Sequence, residues 1–469
     1  MVGAVARKEF LEKLISFRFF LAVVLCVVLL PGIVYVRCRD YEARAQALPK
    51  VIESHRQAVR VLPREWSWTL FGGVIDRPLN PLSVLVDPVD LRDGGEVELR
   101  WLDVPAYVPT DESNPVPDFF LAFHPLSFIT IVMSLLAVVF SFDAVCGEKS
   151  QGTLKLMLAA GVPRGTLLAG KWLGGLAAVA LPFLLGVLVS ALVVLVVLSG
   201  SLSASHWVAM GAILLLSLLF LSVVYSAGML VSSLTAEPAT SAACLLLLWA
   251  LAFLGYPNLA PVLASWLRPT PTPAESRKEQ RSQLDEVRKT TEALFAQFEK
   301  EWEPRKDDPQ SRNDYWVEKR KFYVEQEKLM GPALEKFHES QARVLEAQVE
   351  LTNSILRAAP LGSYILAFDE LAGTGSSERS RLLSAVTRYQ TRFFVYFAGR
   401  SVQMVEKRKA LGITDMPPYS TGDFPLFECQ ESTVPQRSSR SLFDVVLLAA
   451  WNVLLFVGAY ASFLRYDVS

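Results

Sequence analysis

Six long apolar runs constrain the fold of this 469-residue chain more than any other feature. Each run is close to the ~20 residues that a helix needs to cross ~30 Å of hydrocarbon. Backbone polar groups cannot stay unpaired in lipid, so the runs must be helices. The predicted fold class is an all-α polytopic membrane protein, and an even number of spans places both termini on one side. The predicted spans are 19–36, 123–142, 173–198, 207–231, 240–260 and 442–464.

Residues 1–18 mix charged and apolar positions at helical spacing. This pattern predicts an amphipathic helix in the membrane interface. The alternative is a signal peptide, since AQA at 45–47 resembles a cleavage site. We favour an uncleaved span because the apolar run 19–36 is nearly a full span and its polar lead is long.

Basic residues predict which side of the membrane each segment occupies. They gather before the first run, in the loop 143–172 and after the last run, which indicates that both termini are cytoplasmic in a cell membrane. Arg37 and Arg39 are exceptions, but they open a long segment, and long segments translocate largely regardless of charge. The two longest segments, 37–122 and 261–440, are then extracytoplasmic inserts.

The two inserts differ in pattern. The pattern of the first insert predicts a helix near 40–61 followed by short strands, such as one within 96–104. The second is mostly helical, and its first two helices, split by EPRKDDPQ, predict an antiparallel hairpin. The predicted helices of the second insert are 275–302, 313–357 and 377–410, and 411–440 is predicted to be an irregular return to the membrane.

Composition and motifs exclude several functions. A net charge of -1, with acidic and basic residues alternating over 275–357, argues against a nucleic-acid partner. The apolar runs hold almost no ionisable residues, which argues against a proton or ion pump. No CxxC, HExxH or G-x-S-x-G string occurs, so no catalytic residue, metal ligand or cofactor is predicted. Cys38 and Cys429 both fall in the inserts, and nothing in the sequence fixes whether they pair.

The string from Gly165 to Lys171 matches the first seven positions of a phosphate-binding loop. The eighth position must be Ser or Thr to hold magnesium, and here it is Trp172. No buried strand precedes the string. We therefore predict that its glycines serve close helix packing rather than nucleotide binding.

The stretch around the loop 143–172 carries a family resemblance. The residues from Phe142 to Lys171, with the block EKSQGT at 148–153, resemble the signature of ABC-2-type permeases, the membrane subunits of a class of ATP-binding-cassette transporters. Ser150 departs from the charged residue usual there. The resemblance extends to three further strings, SSLTAEPATS, FLRYDV and PLGSYILAFDELAGTG. The last of them resembles permeases grouped with gliding-motility and nitrous-oxide-reductase-maturation transporters.

The resemblance implies a half-transporter without an ATPase site of its own. Two permease chains would pair, and each would dock a separately encoded ABC ATPase. The segment from Glu148 to Ala160 would be the coupling helix, with Glu148 and Lys149 as polar docking contacts, Gly152 allowing close approach and Leu156 facing the membrane core. The implied coupling residues are Asp143, Glu148, Lys149, Gly152, Thr153, Leu156 and Arg164.

A competing prediction is a membrane-anchored scaffold, in which the outer helices bind an extracytoplasmic partner and nothing is transported. The sequence does not identify a substrate. Apolar spans with few polar groups suit a lipid-like or peptide cargo, or the transmission of force to the outer domain.

Overall fold

The described part of the chain is mostly helical. It holds thirteen α-helices, named α1–α13, two short 3-10 helices at Pro81–Val84 and Glu303–Arg305, and three short strands. The computed structural model describes residues 1–60, 73–76, 79–86, 96–99, 106–107, 123–308, 311–411, 427, 429 and 432–465. The first helices are α1 Val2–Leu14, α2 Phe17–Arg60, α3 at 125–141, α4 Cys146–Ser150, α5 Thr153–Ala159, α6 Arg164–Val197 and α7 Ala204–Leu234. The others are α8 Pro238–Leu267, α9 Pro273–Trp302, α10 Arg312–Leu356, α11 Pro360–Ala372, α12 Ser376–Leu411 and α13 Val434–Leu464.

Six helices of the described chain, α2, α3, α6, α7, α8 and α13, are long and apolar enough to cross a membrane. The all-α polytopic class and the six predicted spans are confirmed. All of these helices but α3 begin or end beyond their apolar runs, because hydropathy marks the lipid boundary and not the end of a helix. Thus α6 begins at Arg164 and α13 at Val434. Helix α2 continues to Arg60, since nothing between Val36 and Asp40 breaks it.

Two of the spans contain a π-helical turn. Helix α3 consists of Pro125–Ser127, the turn Phe128–Met133 and Ser134–Ser141. Helix α8 has such a turn at Leu251–Gly255. His124 caps α3, because its Nδ1 atom accepts the Ser127 N–H at 3.2 Å. Pro238 opens α8 in the first turn, where a missing N–H is tolerated.

The span bundle has two faces, distinguished by the helix ends that meet there. At the terminal face, Arg18 at the start of α2 contacts Asp143 just after α3. At the same face, Arg164 at the start of α6 donates to the Leu464 carbonyl at the end of α13. The opposite face, the insert face, carries the two long inserts. Helix α7 is the most central span, and it packs against α3, α6, α8, α11 and α13.

The helices α9 and α10 form the predicted antiparallel hairpin. Near its open end, the Ser276 hydroxyl donates to Gln341 at 3.4 Å. Near its closed end, the rings of Phe298 and Tyr315 lie 5.8 Å apart. The predicted helix at 377–410 is α12, which packs along α10.

The two inserts share a small apolar core. Strands β1 Gly73–Asp76, β2 Glu96–Leu99 and β3 Ala106–Tyr107 form an antiparallel sheet in that order. Ile75, Val97 and Leu99 of the sheet pack against α12, so each insert completes the other. The predicted strand within 96–104 is present as β2, and 100–104 lie outside the described residues.

The predicted irregular return at 411–440 is only partly described. Residues 412–426 lie outside the described part. Among the described residues, the prediction of an irregular segment is wrong from Val434 onward, because α13 begins there. Thr433 and Gln436 form a reciprocal capping box there, which starts the helix in a polar stretch before any apolar run. In the described structure, no disulfide joins any of the five cysteines, Cys38 and Cys429 included.

One carboxyl group of α11 is poorly solvated. Asp369 is half-buried as a residue, but its Oδ1 atom is buried and has no hydrogen-bond partner in the described structure. Burial, reinforced by the neighbouring Glu370, raises the pKa of Asp369 to about 7. The folded protein therefore holds this proton over a pH range in which the unfolded chain has released it.

This raised pKa predicts a pH-dependent stability. Because the folded state binds more protons than the unfolded state between about pH 4 and 7, Asp369 lowers the free energy of unfolding as the pH rises through that window. We expect a higher unfolding temperature at about pH 5 than at about pH 8, and Asp369→Asn should remove much of the difference. The exposed Asp285 offers the control, since Asp285→Asn should leave the pH profile unchanged.

Candidate functional site

Three acidic and three basic side chains cluster at the terminal face, where α1, α4 and α6 meet. The Nζ atom of Lys171 lies 3.0 Å from Glu9 Oε2 and 2.7 Å from Glu148 Oε1. The Lys171 side chain is only 5% exposed. Since buried charges are tolerated beside opposite charges, this trio holds the three helices together. We call Glu9, Lys13, Arg18, Asp143, Glu148 and Lys171 the polar junction.

Two further ion pairs complete the polar junction. Lys13 Nζ lies 3.5 Å from Glu9 Oε1 and donates to the Phe140 carbonyl. Arg18 lies 2.7 Å from Asp143 Oδ2. Burial lowers the pKa of the Lys13 ammonium, and the carboxylates of Glu9 and Asp143 partly oppose this shift. The six formal charges cancel, so the junction adds no net charge at the membrane boundary.

Small residues on α6 let α1 approach closely enough to form the junction. A Cβ added at Gly174 would overlap the carbonyl oxygen of Ala6 and the side chain of Glu9. Only glycine leaves room there, as predicted for the glycines of this segment. The close approach delivers the carboxylate of Glu9 to Lys171, one turn before Gly174 on α6.

Hydrogen bonds also fix α4 to the end of α7. The Ser232 hydroxyl accepts the two backbone N–H groups at the start of α4, at 3.0 and 3.1 Å. Lys149 Nζ donates to the carbonyl of Ser233 and, at 3.1 Å, to that of Thr235. The last carbonyls of a helix have no partner within it, and Lys149 supplies one. The loop before α5 is therefore anchored to both α6 and α7.

Helix α5 follows a break at Gly152, whose φ is +72°. The segment from Glu148 to Ala160 is thus two short helices and not one. A Cβ at Gly152 would meet no atom of this chain within 4 Å, so the positive φ is the feature that favours glycine there. Leu154 is buried, whereas Leu156 is 72% exposed. Leu156 therefore does not pack against the chain's own core, because residues two apart point away from each other on a helix.

Comparison with known proteins decides what kind of chain carries this junction. Residues 3–468 match the family described as ABC-2 family transporter protein. The chain belongs to the ABC-2 transporter family. It is also 33% identical over 157 residues to the probable ABC transporter permease protein NosY of Pseudomonas aeruginosa. That match covers 30% of this chain and 56% of the relative, so the chain spans about half the length of the curated relative it matches.

As an ABC-2 family member with six candidate spans, the protein is a multi-pass membrane subunit of an ABC transporter. The permease has no phosphate-binding loop at 165–171, because these residues are part of the regular helix α6. From Leu167 onward, their backbone N–H groups bond to carbonyls one turn earlier and are not available to cradle a phosphate. Lys171 of that string instead pairs with two carboxylates of the permease.

The other predicted coupling residues of this ABC-2 permease fall into two groups. Asp143, Glu148 and Lys149 point inward and bind other helices of the chain. Thr153 is exposed at the start of α5, as are Lys155 and Leu156. Arg164 lies apart from both groups, since it donates to the Leu464 carbonyl at the end of α13.

Sequence reasoning did not show that Glu9, Lys13 and Arg18 join the loop 143–172, or that Lys171 within the loop pairs with Glu9 and Glu148. A signal was present in α1. Glu9 follows Ala6 by three positions and so lies on the same face as the apolar stripe, where an acid is unexpected. Such an acid requires a buried cation, but the sequence does not show that Lys171, 162 residues away, supplies it.

Proposed function

We propose that this permease couples ATP hydrolysis by a separately encoded ATPase to movement of its spans, and that α5 is the helix on which the ATPase docks. One observation carries the proposal. Helix α5 is anchored on one side by Leu154 and presents Leu156 and Lys155 on the other. An exposed apolar side chain beside a charge, on a rigid base, can supply the apolar core and polar rim of a protein interface.

The polar junction gives this docking helix a mechanical connection. A force on α5 reaches α4 through the short link at Gly152. From α4 it reaches α6 through Glu148 and Lys171, and α7 through Lys149. Helix α1 moves with α6 because Glu9 binds the same lysine. Inward-pointing charges thus transmit the motion, and the exposed face of α5 makes the contact.

The proposal includes the sidedness of the chain and its partners. We place the terminal face on the cytoplasmic side of a cell membrane, since basic residues concentrate at that face. A second permease chain would pair with this one, and each would dock one ATPase. The output would be export or movement of the outer domain formed by the inserts. The relative named as a permease supports transport as the general activity.

The docking assignment predicts the effect of a charge at Leu156. We expect Leu156→Asp to weaken ATPase binding about tenfold or more, since burying an unpaired carboxylate in an interface costs upwards of about 1.4 kcal/mol. The measurement is the binding affinity of the full-length permease in nanodiscs for each ABC ATPase subunit of the source genome, by biolayer interferometry.

A leucine of similar exposure provides the matched control. Leu411 is 58% exposed at the end of α12, and Leu411→Asp should leave ATPase binding within about twofold of wild type. Unchanged binding by Leu156→Asp would show that α5 is not the docking helix. If no ATPase subunit binds the wild-type permease, the scaffold interpretation replaces transport.

A further inference from the structure

Helix α11 belongs to the second insert in sequence, but it packs among the spans. It contacts α7 and α13 along its length. Tyr364 is fully buried there, and its hydroxyl lies 2.9 Å from the Ser217 hydroxyl of α7. Its ring stacks on Phe220 of α7 with centroids 4.1 Å apart and planes 10° apart. The insert is therefore attached to the central span by both a hydrogen bond and a ring stack.

The corner between α10 and α11 is fixed to two further spans. Arg357 forms two hydrogen bonds with the carboxylate of Asp444 on α13, at 2.7 and 3.1 Å. Asp444 is buried, and its bidentate pairing sets the orientation of the corner as well as its position. The hydroxyl of Tyr256 in α8 donates to the Ile355 carbonyl in the last turn of α10. We call Tyr364, Ser217, Phe220, Arg357 and Asp444 the outer junction.

Helix α7 is part of the outer junction and also binds α4, which carries Glu148 of the polar junction. Ser217 is in the outer junction, and Ser232 binds α4 beside the polar junction. The 15 residues between them span about 22 Å, most of the thickness of a bilayer. In lipid, every backbone hydrogen bond of such a helix is made internally, so the helix resists local unfolding and moves as a unit.

Side-chain hydrogen bonds join the middle of α7 to its neighbours. The Ser226 hydroxyl accepts from Trp172 of α6 at 2.8 Å and donates to Asn452 of α13 at 2.7 Å. Asn452 in turn donates to Ser222 at 2.6 Å. Polar contacts of this kind hold helices together within a membrane. The three helices therefore move together between the two junctions.

We propose that α7 transmits movement of α5 across the membrane to the α9–α10 hairpin through the outer junction. This inference rests on the proposed function, because the movement starts at the ATPase dock. Helix α10 has 45 residues and is about 67 Å long, and its membrane end is the corner held by Arg357. A tilt of about 5° at the corner displaces the hairpin tip by about 6 Å. Residues of the outer junction are positioning residues that link the spans to this lever.

The test measures hairpin movement during the ATP cycle. Nitroxide labels at Lys306, at the hairpin tip, and at Ser54, on α2, are exposed positions for a distance measurement by pulsed electron spin resonance. The sample is the full chain with its bound ATPase in nanodiscs, compared without nucleotide and after trapping with ATP and vanadate. We expect the Lys306–Ser54 distance to change by several ångströms, on the order of the 6 Å lever displacement.

Variants of the outer junction separate transmission from docking. In Tyr364→Leu, the ATP-dependent distance change should fall by about half or more while ATPase binding stays within about twofold of wild type. Ser217→Ala removes only the hydrogen bond and should give a smaller loss in the same direction. The control is Tyr389→Leu, which alters a ring in the outer-domain core instead, and it should retain the distance change.

Each outcome decides one of the two proposals. If the ATPase binds but the wild-type distance does not change, transmission by α7 is wrong and docking stands. If the junction variants keep the full change, or Tyr389→Leu loses it equally, the outer junction is not the route. If no ATPase binds the wild-type permease, both proposals are wrong.

Discussion

Lys171→Met is expected to destabilise the protein strongly. The substitution leaves the carboxylates of Glu9 and Glu148 facing each other in a buried site without their common counter-charge. Removing one partner of a buried ion pair costs about 3–5 kcal/mol. Glu148 Oε2 is already without a hydrogen-bond partner among the described residues, so no alternative donor is at hand. We therefore expect one of the largest losses of any single substitution in the chain.

The measurement is the unfolding temperature of the purified permease in one detergent, which should fall by several degrees. Lys155→Met is the matched control, because Lys155 is exposed in the same loop and its replacement should have little effect. Adding Glu9→Gln and Glu148→Gln to Lys171→Met removes the stranded charges and should recover part of the stability. An equal loss in Lys155→Met, or no recovery in the triple variant, would contradict the assigned charge compensation.

Arg357→Met is the second substitution with a large expected effect. Asp444 has a side chain that is 1% exposed, so the loss of its bidentate partner leaves a buried carboxylate unpaired. The Arg357 side chain is 30% exposed, which places the expected cost near the lower end of the range for buried pairs, about 3 kcal/mol. The hydrogen bonds with Asp444 raise the pKa of Arg357, so the guanidinium keeps its charge throughout the pH range in which the protein folds.

The matched control for Arg357 lies on the same helix. Arg343 is exposed on α10 and lies 4.0 Å from Glu339, so Arg343→Met should cost no more than about 0.5 kcal/mol. Combining Arg357→Met with Asp444→Leu replaces the pair by apolar side chains and should restore most of the stability. If the double variant is no more stable than Arg357→Met, the loss does not come from an unpaired Asp444.

Local patterns predicted the elements of this fold well. The apolar runs gave the number of spans, and the charged helical patterns gave the α9–α10 hairpin and α12 to within a few residues. The ends of the spans were less predictable. The capping box at Thr433 begins α13 in a polar segment, and hydropathy cannot detect a polar start.

The candidate site was predicted by location but not by geometry. The family signature pointed to the loop 143–172, and its residues do lie between two spans at the terminal face. It did not show that Glu148 and Lys149 point inward while Leu156 points outward. That difference depends on the break at Gly152, which turns one amphipathic segment into two short helices with different exposed faces.

The sequence by itself determined that this chain has six apolar helices and a helical hairpin in its second insert, because lipid burial and helical periodicity are local properties. Only the tertiary structure decided which distant residues meet. Glu9 and Lys171 are 162 residues apart, and Ser217 and Tyr364 are 147 apart. Neither contact leaves a local signature of its partner, because each depends on how closely whole helices pack. The polar junction and the outer junction are therefore properties of the packed bundle.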